Sequence, residues 1–149
     1  LLKNLRDEAP EALPLSQLQD CETLIRTLFS EEDSHTLIDA FLALETDNPW
    51  LQHAQANLRN GSPLSALIID EKMKRMRGKD LTAVFKSELV LSTNIVRFTE
   101  LAEGIRALLI DKDKSPKWAY KTHRDIPREV VEGFFIPPWE KNPLDDVFA

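Results

Sequence analysis

The sequence predicts an all-α fold, and three observations carry that prediction. Glycine is scarce, with four in 149 residues, and Gly61 and Gly78 stand where a left-handed residue commonly ends a helix. Apolar residues recur with 3.6-like spacing, and no sustained period-2 alternation supports a strand. Helix-start signals return along the chain at Asn48-Pro49, Ser62-Pro63 and Asp80.

The elements follow in order. A first helix is expected from about Leu15 to Phe29, where Ser16 and Gln19 form a capping box and Leu18, Cys21, Leu24, Ile25 and Leu28 share a face. A second begins near Asp33 or Ser34, whose acidic surroundings suit a helix N-terminus, and should bury Leu37, Ile38 and Phe41. Asn48 caps a third, with Pro49 at the first helical position, where proline loses no hydrogen bond; Gly61 ends it. Ser62-Pro63 launches a fourth to about Arg77, with Leu64, Leu67, Ile68 and Met76 inward. Asp80 caps the longest, about Leu81 to Phe98, whose Leu81, Val84, Phe85, Leu89, Ser92, Ile95 and Val96 trace a face wide enough for burial between neighbours. Thr99 caps a sixth that carries Leu101, Ile105, Leu108 and Leu109 inward, and a short turn of helix follows near Pro127 to Glu132. The tail FFIPPWEKNPLDDVFA has three prolines and no period. It reads as an extended arm laid over another surface through Phe134, Phe135, Trp139 and Phe148. The expectation is about six helices over 1–133 and an aromatic tail over 134–149, with no internal repeat.

Composition bounds the function. A single domain of 149 residues buries roughly 68–70% of its unfolded surface, so a real core is available. Hydrophobic content of 42% beside 30% charge excludes a disordered chain, and no apolar run nears the roughly 20 residues that span a bilayer. Cys21 is the only cysteine and is expected in the core; it forms no internal disulfide, which fits a reducing compartment. Residues 1–60 hold 4 Lys/Arg against 11 Asp/Glu, so that half is a poor nucleic-acid binder. The chain opens on Leu-Leu, and LLKNLRDEAPEAL reads as the continuation of a longer protein.

Motifs for chemistry are sparse. His35, His53 and His123 fall in polar segments or near helix ends, without a nucleophile or a further ligand at metal spacing, and no phosphate-cradling glycine loop occurs. The basic run KMKRMRGK at 72–79 offers Lys72, Lys74, Arg75, Arg77 and Lys79 as phosphate ligands, but cations near a helix C-terminus also complement its dipole. That second explanation is preferred. It lacks the interleaved aromatics of a single-strand platform, so neither nucleic acid nor membrane is expected as a partner. The segment EGIRALLIDKDKSPKW at 103–118 is more unusual. Asp111 and Asp113 at a helix C-terminus oppose the dipole, so capping does not explain them, and a salt bridge or an anionic ligand is expected to hold the segment. Gly104 marks a close backbone approach or a first turn, Ser115-Pro116 forces an extended exit, and Trp118 is an anchor large enough to dock it.

The stretch 88–118, ELVLSTNIVRFTELAEGIRALLIDKDKSPKW, resembles the C-terminal signature of 3-hydroxyisobutyryl-CoA hydrolases and their relatives in the enoyl-CoA hydratase/isomerase (crotonase) superfamily. It matches at Glu88, Leu91, Ser92, Arg97, the EGIRA run from Glu103 to Ala107, the LIDKD string ending at Asp113, and Pro116, Lys117 and Trp118. Ser62-Pro63 and the LIRTLFS at 24–30 extend the likeness over roughly 21–135. Two positions depart: Leu67 stands where a Lys is usual, and Glu100-Leu101 where Asp-Phe is usual.

The resemblance implies a C-terminal helical domain whose missing N-terminal half is an α/β spiral. That half would supply an oxyanion hole and catalytic carboxylates for acyl-CoA hydrolysis, so no catalytic residue transfers to this chain. It implies a role in shaping the acyl-CoA pocket and subunit contacts, with Lys112, Lys114 and Arg106 as candidate ligands of the coenzyme A phosphates. Its expected partners are the N-terminal half, an acyl-CoA and a further copy of the protein. No cofactor is expected beyond the coenzyme A of the substrate, and the location would be cytoplasmic in a bacterium or the mitochondrial matrix in a eukaryote. The readings left beside hydrolysis of 3-hydroxyisobutyryl-CoA in valine breakdown are an enoyl-CoA hydratase/isomerase and a non-enzymatic helical interaction module.

Overall fold

A computed structural model describes residues 16–147. The described chain is all-helical: α1 (Gln17–Asp20), α2 (Glu22–Leu28), α3 (Ser34–Ala43), α4 (Pro49–Asn60), α5 (Pro63–Met76), α6 (Leu81–Ile95), α7 (Thr99–Ile105) and α8 (Arg128–Gly133). A π-helical turn, Arg106–Ile110, extends α7, and a 3-10 turn, His123–Asp125, precedes α8. No strand occurs among the described residues.

The start signals work as read. Asp33 Oδ2 accepts from the Thr36 N–H at 2.8 Å, Asn48 Oδ1 from the Trp50 N–H at 2.9 Å, Ser62 Oγ from the Ser65 N–H at 3.0 Å and Asp80 Oδ1 from the Ala83 N–H at 2.8 Å. Each satisfies an N–H that the helix itself leaves without a partner. Pro49 and Pro63 occupy the first turns of their helices. Gly78 takes φ +72°, the left-handed stop that the sequence places after α5.

The core joins elements distant in sequence. Ile38 of α3, Leu64, Leu67 and Ile68 of α5, Leu91 of α6, Ile126, Val131 of α8 and Phe134 form one buried cluster. Helix α5 is its axis, and Leu64 is its most buried large side chain, at 1% exposure. Removing such a side chain from water contributes about 2 kcal/mol. Cys21 is buried as expected and takes a weak hydrogen bond from Asn48 Nδ2 at 3.6 Å.

Several expectations need correction. The first helix is two, because Cys21, at φ −99° and ψ 7°, leaves the helical region between α1 and α2; Leu15 lies outside the described residues. Helix α6 ends at Ile95, and its buried residues are Val90 and Leu91, while Leu81, Phe85 and Val96 of the expected face are exposed. Leu91 joins the core on one side of this helix and the tail lies along another through Lys86 and Asn94, so the rest of its apolar face stays open. Thr99 is the first residue of α7 and not its cap; Phe98 holds that position without a side-chain bond.

The inward face of α7 is also reversed. Leu101, Ile105, Leu108 and Leu109 are exposed, whereas Glu100 and Ala107 are buried. Glu100 goes inward because it has partners there: it accepts a hydrogen bond from the Ser62 hydroxyl and another from the Ala119 N–H at 3.1 Å. A buried carboxylate with two donors is tolerated where an unpaired one is not.

The tail begins inside the core. Phe134 is 6% exposed and meets Phe98 edge to face at 5.2 Å. Asn94 Nδ2 then donates to the carbonyls of Phe134 and Ile136 at 2.9 Å each, and Lys86 pairs with Asp145 at 2.6 Å. Residues 134–147 thus run in turns along α6, with Phe135 and Trp139 half-buried; Phe148 lies outside the described residues.

Candidate functional site

The site is built where α7 ends. The π turn closes with the Asp111 N–H donating to the Arg106 carbonyl at 2.8 Å, a five-residue step that widens the helix. The chain then makes an elbow through Asp111, Lys112, Asp113 and Lys114, and the Lys114 N–H returns to the Ala107 carbonyl at 3.0 Å. Ala107 is wholly buried beneath it. Trp118 docks the exit: its Nε1–H donates to the Asn60 carbonyl at 3.1 Å, and its ring lies so close to Gly104 that a Cβ there would sit 3.3 Å from Cη2. Gly104 therefore serves the close approach that the sequence anticipates.

Arg106 holds the elbow together. Its Nε and Nη2 grip Glu103 at 2.9 and 2.8 Å, its Nη1 reaches Asp111 at 2.6 Å and Asp113 at 2.7 Å, and Nη2 also meets the Ser115 carbonyl at 3.3 Å. Every guanidinium N–H is then used. Both aspartates that simple capping failed to explain are ligands of this one arginine, and a phosphate at Arg106 would have to displace a carboxylate or the Ser115 carbonyl.

The electrostatics follow from that geometry. Arg106 holds the Glu103 carboxyl down to about 2 from its ordinary 4.5, and the Lys117 N–H at 2.7 Å adds to the shift. Asp113 is lowered chiefly by Arg106 and then by the Ser115 N–H at 2.8 Å. Arg106 itself is raised by Glu103 first and by the two aspartates after it. Because the Glu103 value is depressed on folding, its stabilisation is complete above about 4.5 and is lost as pH falls toward 2. The Lys117 amide proton resonance is accordingly expected to shift with a midpoint near pH 2. A midpoint near 4.5 would show that Glu103 is not clamped.

Lys112 and Lys114 differ from Arg106. Both are exposed, no ion pair engages their ammonium groups among the described residues, and both hold left-handed backbone, at φ 56° and 53°. Between α7 with its π turn and the core lies an apolar cavity of about 360 Å³, lined among others by Leu64, Phe98, Gly104, Leu108 and Trp118. Leu108 and Leu109 of its lining stand 57% and 68% exposed.

The basic run at 72–79 is largely spent on the fold. Lys72 is buried and pairs with Glu88 at 3.0 Å, Lys74 with Asp70 at 2.7 Å, and Arg75 with Glu71 at 2.6 Å and with Glu132, lying over the Phe135 ring. Arg77 and Lys79 remain exposed.

One cluster escaped the sequence reading. His35 and His123, 88 residues apart, meet with their Nδ1 atoms 2.9 Å from each other. Asp39 accepts from His123 Nε2 at 3.0 Å and also pairs with Arg124. Asp39 gives His123 Nε2 an acceptor, and in the Nδ1–Nδ1 contact one ring donates while the other accepts. This tie fastens α3 to the turn before α8, and no group of three metal-binding side chains occurs among the described residues. His35 opens α3 and His123 the 3-10 turn, but nothing local in either segment signals the other.

Comparison with known proteins gives this arrangement a context. The family model described as enoyl-CoA hydratase/isomerase matches residues 1–135. The 3-hydroxyisobutyryl-CoA hydrolase-like protein 5 of Arabidopsis thaliana is 34% identical over 119 residues, 76% of this chain and 31% of that protein. The mitochondrial 3-hydroxyisobutyryl-CoA hydrolase of Dictyostelium discoideum is 28% identical over 76% of this chain and 30% of its own length. Small ribosomal subunit protein mS47 of Arabidopsis thaliana is 30% identical over 83% of this chain and 31% of its own. Among solved structures, an enoyl-CoA hydratase from Rhodobacter sphaeroides superposes with a TM-score of 0.75 at 25% identity, covering 92% of this chain and 41% of that one. The chain thus spans about a third of the length of these curated relatives.

Proposed function

The chain belongs to the enoyl-CoA hydratase/isomerase family, and from that premise we propose that it is the helical C-terminal portion of an acyl-CoA thioester hydrolase acting on 3-hydroxyisobutyryl-CoA in valine breakdown. The observation that carries the reading is the pairing of an exposed apolar face, Leu101, Ile105, Leu108 and Leu109, with ammonium groups at Lys112 and Lys114 that no ion pair engages among the described residues. An acyl-CoA offers the matching chemistries, an apolar arm and a set of phosphates. In this proposal the lysines meet the phosphates, and the apolar face packs beside the acyl pocket against an N-terminal α/β half that supplies the oxyanion donors and carboxylates. Burying that face removes an exposed apolar patch from water. No cofactor is needed beyond the coenzyme A of the substrate. The mitochondrial hydrolases among the relatives support a mitochondrial location.

A second reading has one observation in its favour. A relative of similar identity is named as a ribosomal subunit protein, so the same helical portion is also compatible with a non-enzymatic interaction module. Thiol release from 3-hydroxyisobutyryl-CoA separates the possibilities. The full-length protein is expected to release coenzyme A, and the 149-residue chain alone to release none above background. Hydration of an enoyl-CoA without thioester cleavage would assign the hydratase branch. Absence of both activities in the full-length protein would leave the interaction module.

A further inference from the structure

Two lysines separated by a single residue adopt a backbone conformation that side-chain-bearing residues avoid, at a cost of about tenfold in population for each. Glycine or asparagine would take it more readily. Something must therefore hold the elbow in place, and the contacts identify it. Asp111 and Asp113 both turn onto Nη1 of Arg106, at 2.6 and 2.7 Å, and the Ser115 carbonyl meets Nη2. Alternate residues are drawn to one guanidinium, and the lysines between them are left exposed, with no ion pair among the described residues. A planar fork reaches several carboxylates at once in fixed geometry, which an ammonium does not do.

We infer that Arg106 is a positioning residue: through Asp111, Asp113 and the Ser115 carbonyl it locks the double left-handed elbow and so presents Lys112 and Lys114 together as one receptor for phosphate oxygens. The identity of the anion rests on the acyl-CoA reading above; the positioning does not. Helix α7, by ending in the π turn, brings Arg106 round to face the residues five and seven positions ahead of it. Strain held by surrounding contacts is a recurrent property of binding sites.

The test uses the full-length protein with Arg106→Gln, Arg106→Lys and the double change Lys112→Gln/Lys114→Gln. Amide exchange is followed at Lys114 and Ser115, whose N–H groups donate to the Ala107 carbonyl and to Asp113 Oδ1. Coenzyme A is the binding probe. Both Arg106 variants are expected to raise exchange at these amides about tenfold or more, the population that each left-handed residue forfeits without its lock. Coenzyme A affinity should fall by a similar factor, with KM rising and kcat little changed, as for a lost ground-state contact. The lysine pair should weaken coenzyme A without changing exchange at Ser115. Unchanged exchange in the Arg106 variants overturns the inference, and so does protection restored in full by Arg106→Lys. Raised exchange with undiminished affinity, where the lysine pair does lose it, overturns it as well. Raised exchange in a protein that binds no coenzyme A leaves the positioning intact and sinks the acyl-CoA reading instead. Should Arg106→Gln fail to fold, Asp111→Asn with Asp113→Asn loosens the same elbow and keeps the Glu103 clamp.

Discussion

Leu64→Ala is expected to lower the unfolding free energy by about 3 kcal/mol, within the range for truncating a fully buried leucine. Leu64 lies in the first turn of α5, is 1% exposed, and shares its cluster with side chains from α3, α6, α8 and the start of the tail. Truncation removes about three buried methyl or methylene groups and leaves a hole between elements whose caps and turns resist collapse. Urea unfolding monitored by circular dichroism measures it. Ile69, on the same helix but 63% exposed, supplies the control: Ile69→Ala should stay within about 0.5 kcal/mol. Equal losses at the two positions would show that α5 is not the core axis.

Phe134→Ala should cost about as much or more. Its ring is buried against Phe98, an edge-to-face contact that contributes about 1 kcal/mol beyond the area it covers. The removed ring itself accounts for about 3 kcal/mol, so the melting temperature is expected to fall by about 10 °C. Phe134→Leu should recover most of that loss, because the site needs apolar volume before it needs an aromatic edge. Thermal melts of the two variants decide the matter. A shift of only about 2 °C for Phe134→Ala would show that the tail is dispensable to the helical core.

What was legible in the sequence was what is decided within a few residues. Asp33, Asn48, Ser62 and Asp80 each bond an N–H two or three residues ahead, and each was recognisable from its own short segment. Gly78 and Gly104 were legible for a related reason: a missing side chain has few uses, a left-handed stop at one and room for Trp118 at the other. The elbow was half legible. Asp111 and Asp113 at a helix C-terminus need a cationic partner, and they lie within seven residues of it; but a regular helix does not bring Arg106 round to both, and the π turn does.

The faces of α6 and α7 were not legible, since periodicity finds an apolar stripe without saying what lies opposite. On α7 the stripe of Leu101, Ile105, Leu108 and Leu109 is real, yet the described chain leaves it uncovered and buries Glu100, whose donors come from Ser62 and Ala119. Likewise Arg75 reads as a free cation until Glu132, 57 residues on, closes over it.

The sequence by itself therefore determined the all-helical class, the helix starts and the family signature from Glu88 to Trp118, because propensity, capping and motif spacing are properties of contiguous residues. Only the tertiary structure decided that His35 meets His123, that Phe134 begins in the core, and that Arg106 is a clamp with Lys112 and Lys114 left exposed. Each of those outcomes depends on desolvation and charge pairing between segments, and such energies do not exist until the segments are brought together.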